Sequence, residues 1–360
     1  MVSKHIGKQS IEIVSKVYIA NAASIVGKKE GQGPLGHYFD EIVEDAMFGK
    51  DNWEKAESEL QNKALITLFE KSNFKEKDIQ YVVAGDLLGQ LIGSTFSIRH
   101  YDIPFFGVYG ACSTMGESLA FASILIDGGF ADNVVALTSS HFAGAEKQFR
   151  YPLDYGNQRP LAATWTVTGS GAVILTNDKE RCNLAKSVFE KEKIEPYNNK
   201  RYVSVKYITT GKIVDYGVKD SMNMGACMAP AAADVIYQNY EDFKLMHNIN
   251  YYDKIITGDL GYVGTDIMLD ILKAKGLDIS MLHMDCGKEI YYKDIQDVHS
   301  GGSGCGCAAT TLAGMILTRL ITGEYKRVLF VPTGALLSPV SYNEGESVPA
   351  IAHAVVLEAE

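Results

Sequence analysis

The feature that most constrains this chain is that it repeats itself. Tyr81-Val82-Val83-Ala84-Gly85-Asp86-Leu87 returns as Lys254-Ile255-Ile256-Thr257-Gly258-Asp259-Leu260, each an apolar run that ends in Gly-Asp-Leu. Further on, the helical pattern behind Cys112 and the stretch Gly129-Phe130-Ala131-Asp132-Asn133-Val134-Val135 return as a helical pattern behind Gly304 and Gly323-Glu324-Tyr325-Lys326-Arg327-Val328-Leu329. The matched features come in the same order. The chain therefore reads as a duplication of a unit of about 170–180 residues, which limits the architecture to one with two like halves.

Within the unit, strands alternate with helices. Asp51-Asn52-Trp53-Glu54 has the form of a capping box. Ala56, Leu60, Ala64 and Leu68 then recur every fourth residue, an amphipathic helix over 53–71. Apolar runs at 79–84, 105–109, 134–139 and 171–176 read as strands, and 113–127 as a helix stopped by Gly128-Gly129. This alternation predicts an α/β fold with a mainly parallel sheet. Two halves follow, 1–178 and 202–360, joined by a charged, turn-rich segment 179–201 expected to be an exposed linker with some helix.

Bulk composition sets bounds on function. The 360 residues are 46% hydrophobic and 22% charged, enough for two ordinary domains or one large duplicated one. A net charge of −10 without a long basic block argues against nucleic-acid binding. Six irregularly spaced cysteines read as free thiols in a reducing interior. There is no run of 18 apolar residues and no signal-peptide core, so a soluble protein without a transmembrane segment is expected, one still able to dock on a membrane protein.

Cys112 follows an apolar aromatic run and precedes a helical pattern, in Val108-Tyr109-Gly110-Ala111-Cys112-Ser113-Thr114-Met115. A thiol in the first turn of a helix lies near unpaired N–H groups and the positive end of the dipole, which favours a nucleophilic thiolate. Whether it reacts depends on a general base.

A duplicated βαβ unit with a cysteine opening a central helix resembles the thiolase and ketoacyl-synthase superfamily. Five stretches resemble one family within it, that of the stage V sporulation AD proteins. They are Gly85-Asp86-Leu87-Leu88-Gly89-Gln90, Gly110-Ala111-Cys112-Ser113-Thr114-Met115, Thr209-Thr210-Gly211-Lys212-Ile213-Val214-Asp215, the methionine-rich Met222-Asn223-Met224-Gly225-Ala226-Cys227-Met228-Ala229-Pro230-Ala231-Ala232-Ala233-Asp234, and Thr333-Gly334-Ala335-Leu336-Leu337-Ser338-Pro339. The resemblance implies a thiolase-like fold of duplicated βαβ halves, five-stranded mixed sheets in an α/β/α/β/α arrangement. It implies binding of dipicolinic acid and work with the membrane-embedded subunits of a spore channel, in dipicolinate uptake during sporulation and release in germination. It places the chain in the forespore or spore, peripheral at the inner membrane, and leaves a homodimer open.

Enzymes of the superfamily pair the cysteine with histidines, or with histidine and asparagine. The position of one such histidine falls here in Gly258-Asp259-Leu260-Gly261 and that of the other in Ser300-Gly301-Gly302-Ser303-Gly304-Cys305-Gly306, and neither stretch holds a histidine. Asp259 is a poor substitute, because a carboxylate raises a neighbouring thiol pKa. The expectation is a non-catalytic binder with a vestigial nucleophile position at Cys112. The alternatives are an acyltransferase that uses Cys112 with an unusual base and an interaction scaffold.

The expected ligand-binding set is Asp86, Cys112, His141, Asp259, Gly302 and Ser303, with the helix termini behind Cys112 and Gly304 offering N–H groups to two carboxylates. No cofactor and no metal of the protein's own are expected. Calcium would come only with the ligand, meeting Asp86 and Asp259. The plain alternatives are that both aspartates satisfy local amides and that His141 is bonded at a strand end. Arg150 and Arg159 suit carboxylates but are as readily solvated. Met222, Met224 and Met228 suit either a flexible pocket or the core. His299 reads as structural, Cys305-Gly306-Cys307 lacks a second pair for zinc, and residues 302–306 lack the dinucleotide spacing.

Overall fold

The computed structural model describes residues 4–149, 159–195 and 201–360. Ten main strands among them form one continuous mixed sheet with a repeated order. The first half supplies β1 (Ser10–Gly27), β2 (Tyr81–Gly85), β3 (Phe105–Gly107), β4 (Asn133–Ser140) and β5 (Gly169–Thr176). The second supplies β6 (Val203–Thr209), β7 (Lys254–Thr257), β8 (His283–Asp285), β9 (Arg327–Val331) and β10 (Ala354–Ala359). Their spatial order is β3-β2-β4-β5-β1 followed by β6-β10-β9-β7-β8. Each half thus has the same order counted outward from the join. In each, the outer three strands run parallel and the inner ones antiparallel.

The two five-stranded halves are not separate sheets. The first part of β1 pairs with β6, Ser10 opposite Thr209, and its later part pairs with β5, Val26 opposite Gly169. Breaks in register between Glu12 and Val17 and between Ile19 and Asn21 let the 18-residue strand turn from one partner to the other.

Two helices fill the space between the halves. They are α3 (Thr114–Asp127) and α8, which runs over Cys305–Thr322 with a π-helical stretch at Leu312–Ile316. Helix α3 packs on β4, β1 and β2 of its own half and reaches β10 of the other. The first turns of α8 pack on β5, β4 and β1 of the opposite half. Such a helix is apolar all round because both faces are covered. Cys305–Thr322 is the one helix among the described residues long and apolar enough to cross a membrane, and 83% of it is buried here. Outside the sheet lie α1 (Trp53–Lys71), α2 (Ile92–Ile98), α4 (Phe142–Phe149), α5 (Leu184–Glu192), α6 (Met224–Phe243) and α7 (Gly261–Ala274).

Two local expectations are corrected, and one strand is unexpected. The cap of α1 is Asn52, whose side chain accepts from the Lys55 amide at 2.9 Å, rather than Asp51, and Glu54 pairs with Lys147. The segment 179–201 is not simply exposed. Its helix α5 buries Leu184 and Val188, and Asn183 and Ser187 both accept from the buried Asn21 of β1. Strand β1 itself lacks a sequence expectation, although Ser10-Ile11-Glu12-Ile13 alternates as strands do.

Candidate functional site

Cys112 stands at the apex of a tight elbow between β3 and α3, two residues ahead of the helix rather than in its first turn. Ala111 adopts φ +50°, a left-handed conformation that costs a non-glycine residue about 1–3 kcal/mol. The surroundings hold it there. Ser113 Oγ donates to Gly110 O at 2.7 Å, Thr114 Oγ1 donates to Ala111 O at 2.5 Å, and the Cys305 thiol approaches the same carbonyl at 3.0 Å. Gly334 closes the elbow from the second half. A Cβ there would fall 2.0 Å from Gly110 O and 3.1 Å from Cys112 N.

The Cys112 thiol lies beside the buried carboxyl of Asp259. Asp259 is fully buried, accepting from Gly304 N at 3.2 Å and from Thr333 Oγ1 at 2.9 Å. Burial, reinforced by the neighbouring Asp285, pushes its pKa up to about 7. Burial likewise pushes the Cys112 thiol well above the ordinary thiol range, and the Asp259 carboxyl pushes it further the same way. The thiol is kept protonated, opposite to what a nucleophile needs.

Above this pair lies a small cavity of about 40 Å³. Its walls are Leu87, Tyr109, Ala111, Cys112, Ala145, Glu146, Phe149, Thr166, Met224, Met228, Ser303, Ala335 and Leu337. Both halves contribute, and among the described residues no histidine and no cation lines it. Apolar walls with a few polar groups are the usual make-up of a small-molecule site. Met224 and Met228, from the first two turns of α6, serve the cavity as well as the core, while Met222 is not among the lining residues. Tyr109 and Phe149 supply aromatic edges, and the hydroxyls come from Thr166 and Ser303, on the short paired strands Trp165–Thr166 and Gly302–Ser303.

Of the six residues expected to bind ligand, Cys112 and Ser303 line the cavity and Asp259 sits behind Cys112. Gly302 pairs with Trp165 one residue further out. His141 does not point there. Its Nε2 donates to Ala46 O at 2.8 Å, its Nδ1 accepts from Ala143 N at 3.2 Å, and its ring packs against Trp53 and Phe142. It is a buried cap for α4, and burial lowers its pKa.

Asp86 does not face the cavity either. It accepts from Leu88 N at 2.8 Å, Ser94 N at 2.7 Å and Ser94 Oγ at 2.7 Å, closing the loop between β2 and α2. Asp86 and Asp259 are mates in sequence but not in role. In the second half the loop-closing acceptor is Asp285, which takes Leu260 N and Gly261 N at 2.9 Å each. That frees Asp259 to turn inward. The amide of Gly304, expected to greet a ligand carboxylate, is thereby filled by Asp259, and that of Gly306 donates to Ser140 Oγ at 2.9 Å.

The remaining candidates lie elsewhere. His299 is held by Pro160 O and Asp297, and Arg159 by Asp297 with its guanidinium 4.9 Å over Trp165. Arg150 falls outside the described residues. Sequence reasoning missed Gly334 and Glu146. The first could have been suspected, because it lies in one of the stretches that carry the resemblance. The second carries no signal of its own in α4.

Comparison with known proteins fits this geometry. The family model for stage V sporulation protein AD matches residues 7–358. The stage V sporulation protein AD of Bacillus subtilis (strain 168) is 42% identical over 352 residues, covering 98% of this chain and 97% of its own. The chain belongs to the stage V sporulation protein AD family. Among solved structures, human mitochondrial 3-ketoacyl-CoA thiolase aligns over 97% of this chain and 100% of its own at 11% identity, with a TM-score of 0.54. The 3-oxoacyl-[acyl-carrier-protein] synthase III of Aquifex aeolicus VF5 aligns over 95% of this chain and 99% of its own, again at 11% identity, with a TM-score of 0.52. The fold of this AD-family protein is therefore thiolase-like, and its family assigns it to sporulation.

Proposed function

We propose that the protein is a non-catalytic receptor for dipicolinic acid, peripheral at the inner spore membrane, which passes its ligand to the membrane-embedded subunits of a spore channel. The observation that carries this reading is the pairing of Cys112 with Asp259 under an otherwise apolar, aromatic-walled cavity. A thiol kept protonated by burial and a neighbouring carboxyl is a wall, and with no histidine lining the cavity among the described residues, acyl transfer lacks its base. The chemistry of the walls, rather than the size of the chamber, supports a flat aromatic diacid. Tyr109, Phe149 and the methionines would meet the ring. Thr166 and Ser303 would donate to the carboxylates.

Glu146 bears on the ionic form of the ligand. It is the one charged residue lining the cavity among those described. Calcium carried by the ligand would meet this oxygen donor, so the role first expected of Asp86 and Asp259 passes to Glu146. A homodimer would find its surface along β3, the edge strand, whose three residues Phe105, Phe106 and Gly107 are all exposed.

Calorimetry with dipicolinic acid, with and without calcium, tests the reading. Binding should strengthen with calcium and weaken about tenfold or more in Ser303→Ala and in the cavity-filling Cys112→Trp, the loss of a buried hydrogen bond being worth about 1–3 kcal/mol. Parental affinity in both variants would remove the site, and binding indifferent to calcium would remove the role of Glu146.

A further inference from the structure

Two empty spaces meet at one neck. Outside the inner cavity lies an open, mainly apolar groove of about 350 Å³, and the two share Leu87, Tyr109, Phe149 and Leu337. Leu87 and Leu337 are buried and Phe149 is half-buried, whereas Tyr109 is 43% exposed. Its ring therefore separates the groove from the chamber that holds Cys112. Three buried tyrosines are anchored through their hydroxyls, Tyr252 to Asn239 at 2.8 Å, Tyr291 to Glu30 and Tyr325 to Arg319 at 2.7 Å. Among the described residues no hydrogen bond anchors the hydroxyl of Tyr109.

The frame around that ring is fixed. Leu91, on the rim of the groove, adopts φ +55° next to Gln90 at the same value, two strained residues in a row. The side chain of Leu91 rests on Gly107, where a Cβ would come within 2.8 Å of its Cδ1. On the far side, the cavity is shut by the paired strands that carry the buried Thr166 and Ser303. Of the four residues at the neck, Tyr109 is the most exposed, and among the described residues no hydrogen bond holds its ring in place.

We propose that the outer groove is the entrance to the inner cavity and that the Tyr109 side chain gates it, swinging from the neck into the groove to admit or release an occupant. The ring does not need to bind the occupant to do this. It sets how fast the chamber exchanges with solvent, and the inference stands apart from which ligand the chamber takes.

Alkylation of Cys112 reports passage through the neck without any ligand. The full chain is treated at pH 9 with N-ethylmaleimide and with a pyrene-bearing maleimide, and labelling is followed by peptide mass spectrometry. Tyr109→Ala should label Cys112 about tenfold faster or more, with the larger gain for the bulky reagent. Leu336→Trp, which fills the groove outside the neck, should slow it by a similar factor. Cys182, on the outer segment 179–201, supplies the reference rate, and the buried Cys307 should stay unlabelled in an intact core. If Tyr109→Ala also exposes Cys307, its core has loosened and the decision passes to Leu336→Trp. A parental Cys112 rate in Leu336→Trp, or in a Tyr109→Ala whose core is intact, overturns the proposal.

Discussion

Replacing Asp259 by asparagine should change the pH dependence of stability in a direction fixed by the structure. The carboxyl is fully buried, and its pKa rises from 3.8 to about 7 on folding. Below pH 3.8 both the folded and unfolded chains hold the proton, and the group makes no difference. As pH rises, the unfolded chain releases its proton first, so the folded state loses ground until the folded group also ionises near pH 7. The shift is about three units, at 1.36 kcal/mol each, so the loss totals about 4 kcal/mol. Asparagine has no such proton to lose. Its oxygen can still accept from the Gly304 amide, and the Thr333 hydroxyl can turn to accept from its NH₂. Urea unfolding of parent and variant at pH 4 and pH 7.5 should therefore show the variant gaining on the parent by about 4 kcal/mol between the two. The same substitution removes the like charge beside Cys112, so the pH at which that thiol becomes reactive should fall. A stability difference independent of pH, together with an unmoved thiol titration, would refute the account of this pair.

Other positions give sharper contrasts. Gly334→Ala drives a methyl into backbone atoms of the elbow and should destabilise by about 1–3 kcal/mol or more, read as a lowered Tm, because Gly110 O and Cys112 N have no room to yield. His141→Ala removes the donor to Ala46 O and the acceptor for Ala143 N. It should cost about 1–3 kcal/mol in urea yet leave the affinity for dipicolinic acid at the parental value in calorimetry.

Much of the fold is legible in the sequence because buried strands write themselves as apolar runs. The runs before Asp86 and Asp259 became β2 and β7, which hold the same place in their halves. Strand β1 is harder to read. It changes partners midway, and Lys16 and Glu12 interrupt its pattern where it leaves one half for the other. The cavity is legible in part. The methionine-rich stretch and Cys112 declare themselves by residue type, and both line it. His141 misleads, since a strand end facing the core can offer a side chain to a chamber or to a neighbouring loop, and only the position of Ala46 decides between them. Asp86 and Asp259 mislead for a related reason. Identical local motifs acquire different partners once Asp285, at the strand-end position that Gly107 holds in the first half, takes over the loop amides.

The sharing of β1 between the halves has a consequence for the order in which the molecule can be made. Residues near the start of the chain complete their ladder only with β6 at Val203–Thr209, which leaves the ribosome long afterwards. Until then, the leading part of β1 presents an unpaired edge of the kind that recruits other chains. A first half released alone would keep that edge open, and α8, which packs on its β4 and β5, would be missing. Closure between distant segments comes late and slowly in folding. The duplicated halves therefore do not behave as two proteins in series. The earliest residues of the chain wait for the second half, and the molecule is finished by its beginning.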